Sequence, residues 1–172
     1  MKQIRVGDTI PTICVAQRGT SDPFSVSYPT TNHTLIIFMR GTWCLYCRKQ
    51  LNVLGEYEAA LRQAGITIIC ISTEHQARLD WYVDQNKLPF QLYSDQSRAA
   101  SKAFGVHYWL SYDGFNLAHP ALFLADPNGK AMIAHVSKSM NDLPIGHLLE
   151  VFVGFLNAPA TTSDSVLPRI HS

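Results

Sequence analysis

The sequence predicts one α/β domain: a mixed sheet covered by helices on both faces, in a three-layer α/β/α sandwich. Three observations carry this. Two short, unbroken apolar runs, 34–39 and 66–71, have the pattern of central strands buried on both faces. The stretch between them is apolar at helical spacing, so strand, helix and strand alternate. Near the end, Asp126-Pro127-Asn128-Gly129 is a strong turn signal between two further strand patterns, and a hairpin there makes the sheet mixed.

Taken in order, residues 10–15 and 24–28 alternate like short strands around the turn cluster Gly19-Thr20-Ser21-Asp22-Pro23, which predicts an N-terminal β-hairpin. After the run at 34–39 the period changes. Leu51, Leu54, Tyr57 (or Glu58) and Leu61 mark a helix over about 44–64, with Gly65 where a C-terminal glycine belongs. Thr73 with Gln76 three residues on has the form of a capping box, opening a helix that runs to about Asn86 and stops at Pro89. Residues 90–93 alternate as a short strand. Asp95 is placed to cap a helix over 96–104 that ends at Gly105. Residues 106–118 lack a clear period and read as a loop or short irregular helix. Residues 121–125 and 131–136 form the closing hairpin, and 143–156 a last helix. The domain spans 1–158, and the Pro-, Thr- and Ser-rich residues 159–172 read as a flexible tail.

Composition bounds the function. With 172 residues, 47% apolar and 16% charged, the chain is long enough for one sizeable core. A net charge of +1 with no basic stripe gives no sign of nucleic-acid binding. No apolar run is long enough to span a bilayer. The first eight residues lack an apolar core and carry Asp8, unlike a secretory signal, so the expected location is cytoplasmic.

The four cysteines are too sparse for a disulfide-stapled secreted domain. Cys14 and Cys70 lie in expected strands and read as core residues. Cys44 and Cys47 form a Cys-x-x-Cys pair where a strand gives way to a helix, and a helix N-terminus favours a thiolate. A structural zinc site needs four ligands, and no second close Cys or His pair is present, so neither a metal nor a cofactor is expected.

Trp43-Cys44-Leu45-Tyr46-Cys47 after a buried strand, with the later segment 119–130, resembles the thioredoxin-fold superfamily. More narrowly, residues 38–51 are similar to the "RGxWCPYC" form found in atypical members of the peroxiredoxin-like AhpC/TSA (redoxin) branch. Gly7-Asp8-Thr9-Ile10-Pro11, Leu92-Tyr93-Ser94-Asp95 and Ala103-Phe104-Gly105-Val106 fit the same branch, and the likeness covers roughly residues 5–157. It implies a thioredoxin-like sandwich and thiol-dependent oxidoreductase activity.

The active-site residues depart from the peroxidase pattern P-x-x-x-T-x-x-C. Aligning Cys47 with the peroxidatic cysteine puts Cys44 in the threonine's place, Arg40 in the proline's, and Pro120 where the distant arginine stands. Pro120 instead resembles the cis-proline that faces the disulfide in thioredoxins. Two readings follow. In a disulfide oxidoreductase, Cys44 attacks and Cys47 resolves, because Cys44 sits at the helix start. In a peroxidase, the alignment reverses these roles and a sulfenic acid is resolved within the pair. A redox sensor without catalysis is a third reading.

Arg40 and Arg48 are placed to lower the thiol pKa. Trp43 and Tyr46 shape the surface around the thiols or pack against the 108–115 segment. His119 is either a proton shuttle or a locally satisfied loop residue. Thr42 is available to hydrogen-bond a substrate oxygen, although it stands at the wrong offset for the peroxidase threonine. The implied partners are a disulfide-containing protein or a small thiol or hydroperoxide, a thioredoxin- or glutathione-type electron donor, and a second copy in a homodimer.

Overall fold

In a computed structural model of the protein, residues 2–111 and 114–137 are described. The elements are β1 (Ile13–Val15), β2 (Phe24–Val26), β3 (His33–Met39), α1 (Leu45–Gln63), β4 (Ile66–Ser72), α2 (Gln76–Asn86), β5 (Leu92–Ser94), α3 (Ala99–Ala103), β6 (His107–Ser111), β7 (Gly114–Ala118), β8 (Ala121–Ala125) and β9 (Ala131–Val136). The helix expected over 143–156 and the tail 159–172 lie outside the described residues.

The central sheet has the order β5-β4-β3-β8-β9. β4 is parallel to both β3 and β5, while β8 runs antiparallel to β3 and β9 to β8. It is the expected mixed sheet, and its central strand shows why the apolar run needs no alternation. Leu35, Ile37 and Met39 pack with Leu51, Leu54 and Leu61 of α1 and Leu79, Tyr82 and Val83 of α2. Ile36 and Phe38 face the other way, toward Ala100 of α3, Phe104, and Ile13 and Val15 of β1. Phe38, Phe104 and Phe123 meet there with ring centroids 5.0–6.2 Å apart, a geometry suited to aromatic packing. No helix among the described residues is long and apolar enough to cross a membrane.

The ends of the elements follow local chemistry. Gly65 closes α1 at φ +73°, a conformation that costs glycine little. Arg98, not Asp95, holds the N-cap position of α3, but the two Asp95 carboxylate oxygens reach in to accept from the backbone N–H groups of Ala100 and Ser101 at 3.1 and 2.8 Å. That helix is shorter than expected, starting at Ala99. Thr73 does not cap α2; His75 holds that position. Gln76 instead reaches sideways, donating to Asp80 Oδ1 and the Leu92 carbonyl and accepting from the Ser94 N–H, which ties α2 to β5.

Two other expectations are corrected. Residues 107–111 and 114–118 pair as antiparallel strands, β6 and β7, rather than forming a loop or short irregular helix. Their base is tied by His107 Nε2 to Asn116 Oδ1 at 2.8 Å. Cys14 is exposed, because the two-stranded β1–β2 hairpin buries Ile13 and Val15 and turns the residue between them outward. Cys70 is fully buried, as expected.

Candidate active site

β3 ends at Met39, and α1 opens five residues later with Cys44 as its N-terminal flanking residue, in extended conformation (φ −78°, ψ 116°). The turn between them is closed by the Cys44 N–H donating to the Gly41 carbonyl, and the first helical bond runs from Arg48 N–H to the Cys44 carbonyl. A Cβ at Gly41 would lie 2.3 Å from the Trp43 indole nitrogen and 3.1 Å from Glu74 Oε2, so a larger residue there would have to displace the Trp43 ring.

Cys44 and Cys47 are both reduced and both buried, at 3% and 1% exposure. Their electrostatics are opposed. The Cys47 thiol donates to Cys44, and the Cys47 backbone N–H and the Arg40 guanidinium add to this. Together they outweigh burial and hold the Cys44 thiol down at about 5. The same contact, with burial next, pushes Cys47 up. The pair therefore shares one proton, held on Cys47, and leaves a thiolate on Cys44. Arg40 is itself buried, donates from Nη2 to Cys44 Sγ at 3.2 Å, and lies 5.6 Å from the Trp43 ring centroid.

The other expected residues are distributed around this core. Trp43 is half exposed beside the thiolate. The β3–β8 ladder ends at the Phe38–Ala121 pair, so Pro120 and His119 lie immediately before β8, at the end of the sheet where β3 leads into the thiol corner. The His119 and Tyr108 rings meet at a tilt with centroids 4.4 Å apart, and burial, then the Arg40 charge, holds the imidazole pKa below its usual value. Pro120 is buried and its carbonyl accepts from Ser137 N–H. The expected cis bond is not at Pro120. Among the described residues the cis peptide is Tyr28–Pro29; the chain runs from His119 directly into the β8 ladder, where an extended trans link suffices.

Thr42 is buried and engaged by Glu74 and Arg78. Its N–H donates to Glu74 Oε2 at 2.5 Å and its hydroxyl to Glu74 Oε1 at 3.1 Å, while Arg78 Nε donates to that hydroxyl at 3.4 Å. Ser72 Oγ also approaches Glu74 Oε2, at 3.5 Å.

Glu74 and Tyr108 were not found by sequence reasoning. The available signal for Glu74 was positional: it follows β4, and in open α/β sheets sites form beyond the carboxyl ends of neighbouring parallel strands. Gln50, one turn after Cys47, is buried, and neither amide atom has a hydrogen-bond partner among the described residues. Among the described residues no group of three or more His, Cys, Asp or Glu is arranged to hold a metal.

A buried thiolate with an adjacent thiol can break an S–S or O–O bond and close an internal disulfide. Comparisons with known proteins agree with that chemistry. Peroxiredoxin Bcp of Escherichia coli K12 is 25% identical over 138 residues, covering 79% of this chain and 86% of the relative. Among solved structures, peroxidoxin BcpB from Mycobacterium tuberculosis superposes with a TM-score of 0.77 at 17% identity, over 92% of this chain and 100% of that one. A peroxiredoxin-like protein from Aquifex aeolicus reaches 0.79 at 14% identity, over 90% of each chain. The AhpC/TSA family model matches residues 6–133. These findings make the protein a thiol-dependent oxidoreductase on a peroxiredoxin-like thioredoxin fold, and the chain belongs to the AhpC/TSA family.

Proposed function

We propose that the protein is a thiol–disulfide oxidoreductase in which Cys44 attacks and Cys47 resolves. The observation that carries this is the thiolate on Cys44, held by Arg40 Nη2 at 3.2 Å and by the proton kept on Cys47. In the first step Cys44 Sγ attacks one sulfur of a substrate disulfide; the Cys44–substrate S–S bond forms and the other substrate sulfur leaves as a thiolate. Cys47 then gives up its proton and attacks Cys44 Sγ. The second substrate sulfur leaves, and the Cys44–Cys47 disulfide closes. Two electrons pass from the dithiol to the substrate, and a thioredoxin- or glutathione-type donor returns them. We set this cycle in the cytoplasm, where such thiol donors are abundant.

A peroxidase is the second reading, favoured by the family match and by the relative named peroxiredoxin Bcp. Here the lowered thiol is Cys44 and not Cys47, where the alignment puts the peroxidatic role, so the Cys44 thiolate attacks a peroxide oxygen and forms a sulfenic acid, with release of an alcohol or water. Cys47 condenses with it to the same disulfide, with loss of water. Against it, the Thr42 hydroxyl is occupied by Glu74 and Arg78 and is not offered to an oxygen at Cys44. Against the first reading stands the trans bond before Pro120, which removes one thioredoxin-like feature.

Rapid-mixing kinetics separate them. Reduced protein is mixed with hydrogen peroxide and, separately, with a model protein disulfide, and rates are compared with a free dithiol. The proposal expects acceleration with the disulfide, loss in Cys44→Ser, and a trapped mixed disulfide in Cys47→Ser. Acceleration with peroxide alone would overturn it in favour of the peroxidase.

A further inference from the structure

Two guanidinium groups border the thiol pair without serving it. Arg78, on the first turn of α2, spends its Nε–H on Thr42 Oγ1, two residues before Cys44. Its guanidinium carbon lies 5.1 Å from the Trp81 ring centroid. Arg48 is one helical turn after Cys44 on α1, and its guanidinium lies 5.9 Å from the ring centroid of Tyr82. Tyr82 is one turn after Arg78 on α2 and packs in the same cluster as Cys44 and Cys47. Thr42, Arg78, Tyr82 and Arg48 therefore trace an arc along one flank of the Cys-x-x-Cys corner.

Both arginines are exposed, and among the described residues neither is ion-paired with a carboxylate. The nearby acids are turned elsewhere. Glu74 is taken by Thr42 and Ser72, Asp80 by Gln76, and Asp84 by Arg18. A guanidinium over an aromatic ring is held in place with part of its hydration removed, which strengthens its pull on an anion. Exposed Trp43 and Leu45 supply an apolar floor beside the charges.

We propose that Arg48 and Arg78 form a carboxylate-binding arc, which selects disulfides whose cysteines are flanked by carboxylates. The inference rests on the disulfide-exchange reading above and names the substrate class for that site. Arginine suits the task because its planar fork pairs with carboxylates through two parallel hydrogen bonds. The attraction also brings an anionic substrate to a site that already carries a thiolate and would otherwise repel it.

The test measures second-order oxidation of the reduced protein by four probes. They are oxidised glutathione and three cyclic disulfide peptides of equal length, with Asp, Ser or Lys beside each cysteine. A free dithiol, run in parallel, removes intrinsic reactivity. At about 20 mM salt the Asp peptide or oxidised glutathione should react at least about 10-fold faster than the Lys peptide after that correction. The preference should shrink toward that of the free dithiol in 1 M salt, where screening reaches only about 3 Å. It should also be lost in Arg48→Gln/Arg78→Gln. A lead by glutathione or by the Asp peptide identifies the source of the carboxylates, and either supports the proposal. Equal corrected rates for the three peptides with no lead by oxidised glutathione, or a preference unaffected by salt, would overturn it. The salt series uses the unaltered protein and decides the matter even if the double variant folds poorly. No acceleration with any of the four probes would defeat the underlying exchange reading instead.

Discussion

Cys44 and Cys70 are both shut off from water, at 3% and 0% exposure, yet their thiols are driven in opposite directions. Cys70 sits within β4 in the apolar core, where burial pushes its thiol up. Cys44 suffers the same burial, but the Cys47 thiol, the Cys47 backbone N–H and Arg40 overcome it and bring it down to about 5. Concealment therefore does not decide reactivity in this molecule. What decides it is whether the hidden sulfur is met by donors, and donors gather where a strand hands over to a helix.

The largest effect expected is at the nucleophile. Cys44→Ser should cut disulfide exchange on the order of 10³-fold, since a serine hydroxyl is far weaker than a thiolate, whereas Cys70→Ala should leave the rate within about 2-fold. Steady-state rates on purified variants test both, and an inactive but folded Cys70→Ala would break the contrast. Next comes chemical labelling. Iodoacetamide at pH 7 should modify Cys44 rapidly and Cys70 only when the sheet opens, a rare event for a core strand. Mass mapping over time would show it.

The third prediction concerns the donor. A hydrogen bond to a charged group contributes about 1.5–3 kcal/mol, and one pKa step corresponds to about 1.36 kcal/mol. Arg40→Met should therefore move the Cys44 thiol from about 5 to roughly 6–7. Thiolate absorbance at 240 nm against pH would reveal the shift, and an unmoved titration would remove Arg40 from the account.

Stability should follow the same sulfur. Folding lowers the Cys44 pKa below the roughly 8.5 of an unfolded thiol, so between about 5 and 8.5 the unfolded chain binds the extra proton. Stability then rises with pH across that window, is fully present above it, and is lost as pH falls through about 5. Cys47, raised by folding, acts in the opposite sense only above the unfolded value. Denaturant melts of the native protein and Cys44→Ala from pH 4.5 to 8.5 should converge at the acid end. The smallest effect expected is at Gln50. Leucine in its place removes a buried amide without partners among the described residues and should stabilise the fold by about 1 kcal/mol, read as a higher denaturation midpoint.

The strands of the sheet were legible because burial on both faces leaves a plain mark, the unbroken apolar runs that became β3 and β4. The thiol corner was legible for a related reason, since a change of hydrophobic period locates the boundary and the cysteines stand on it. The β6–β7 pair was missed because Trp109, Leu110 and Phe115 are exposed, so apolar residues fall on both of its faces and hide the alternation. The Asp113-Gly114 pair was its available turn signal. Thr73 and Gln76 had the spacing of a capping box, but Gln76 found partners on β5 instead. Glu74 was invisible because its partner Thr42 lies 32 residues away, and pattern reading reports neighbours along the chain, not across the sheet.

The Glu74 clamp has a consequence for anyone wishing to move this chemistry elsewhere. The octapeptide Gly41–Arg48 carries both sulfurs, yet the hydrogen bonds that fix Thr42 come from an acid on the following strand–helix connection. Grafted alone onto another scaffold, the eight residues would keep their sequence and lose their shape. The smallest transferable unit is two adjacent parallel strands with the connections that leave them, and a designer who copies the motif must copy its neighbour as well.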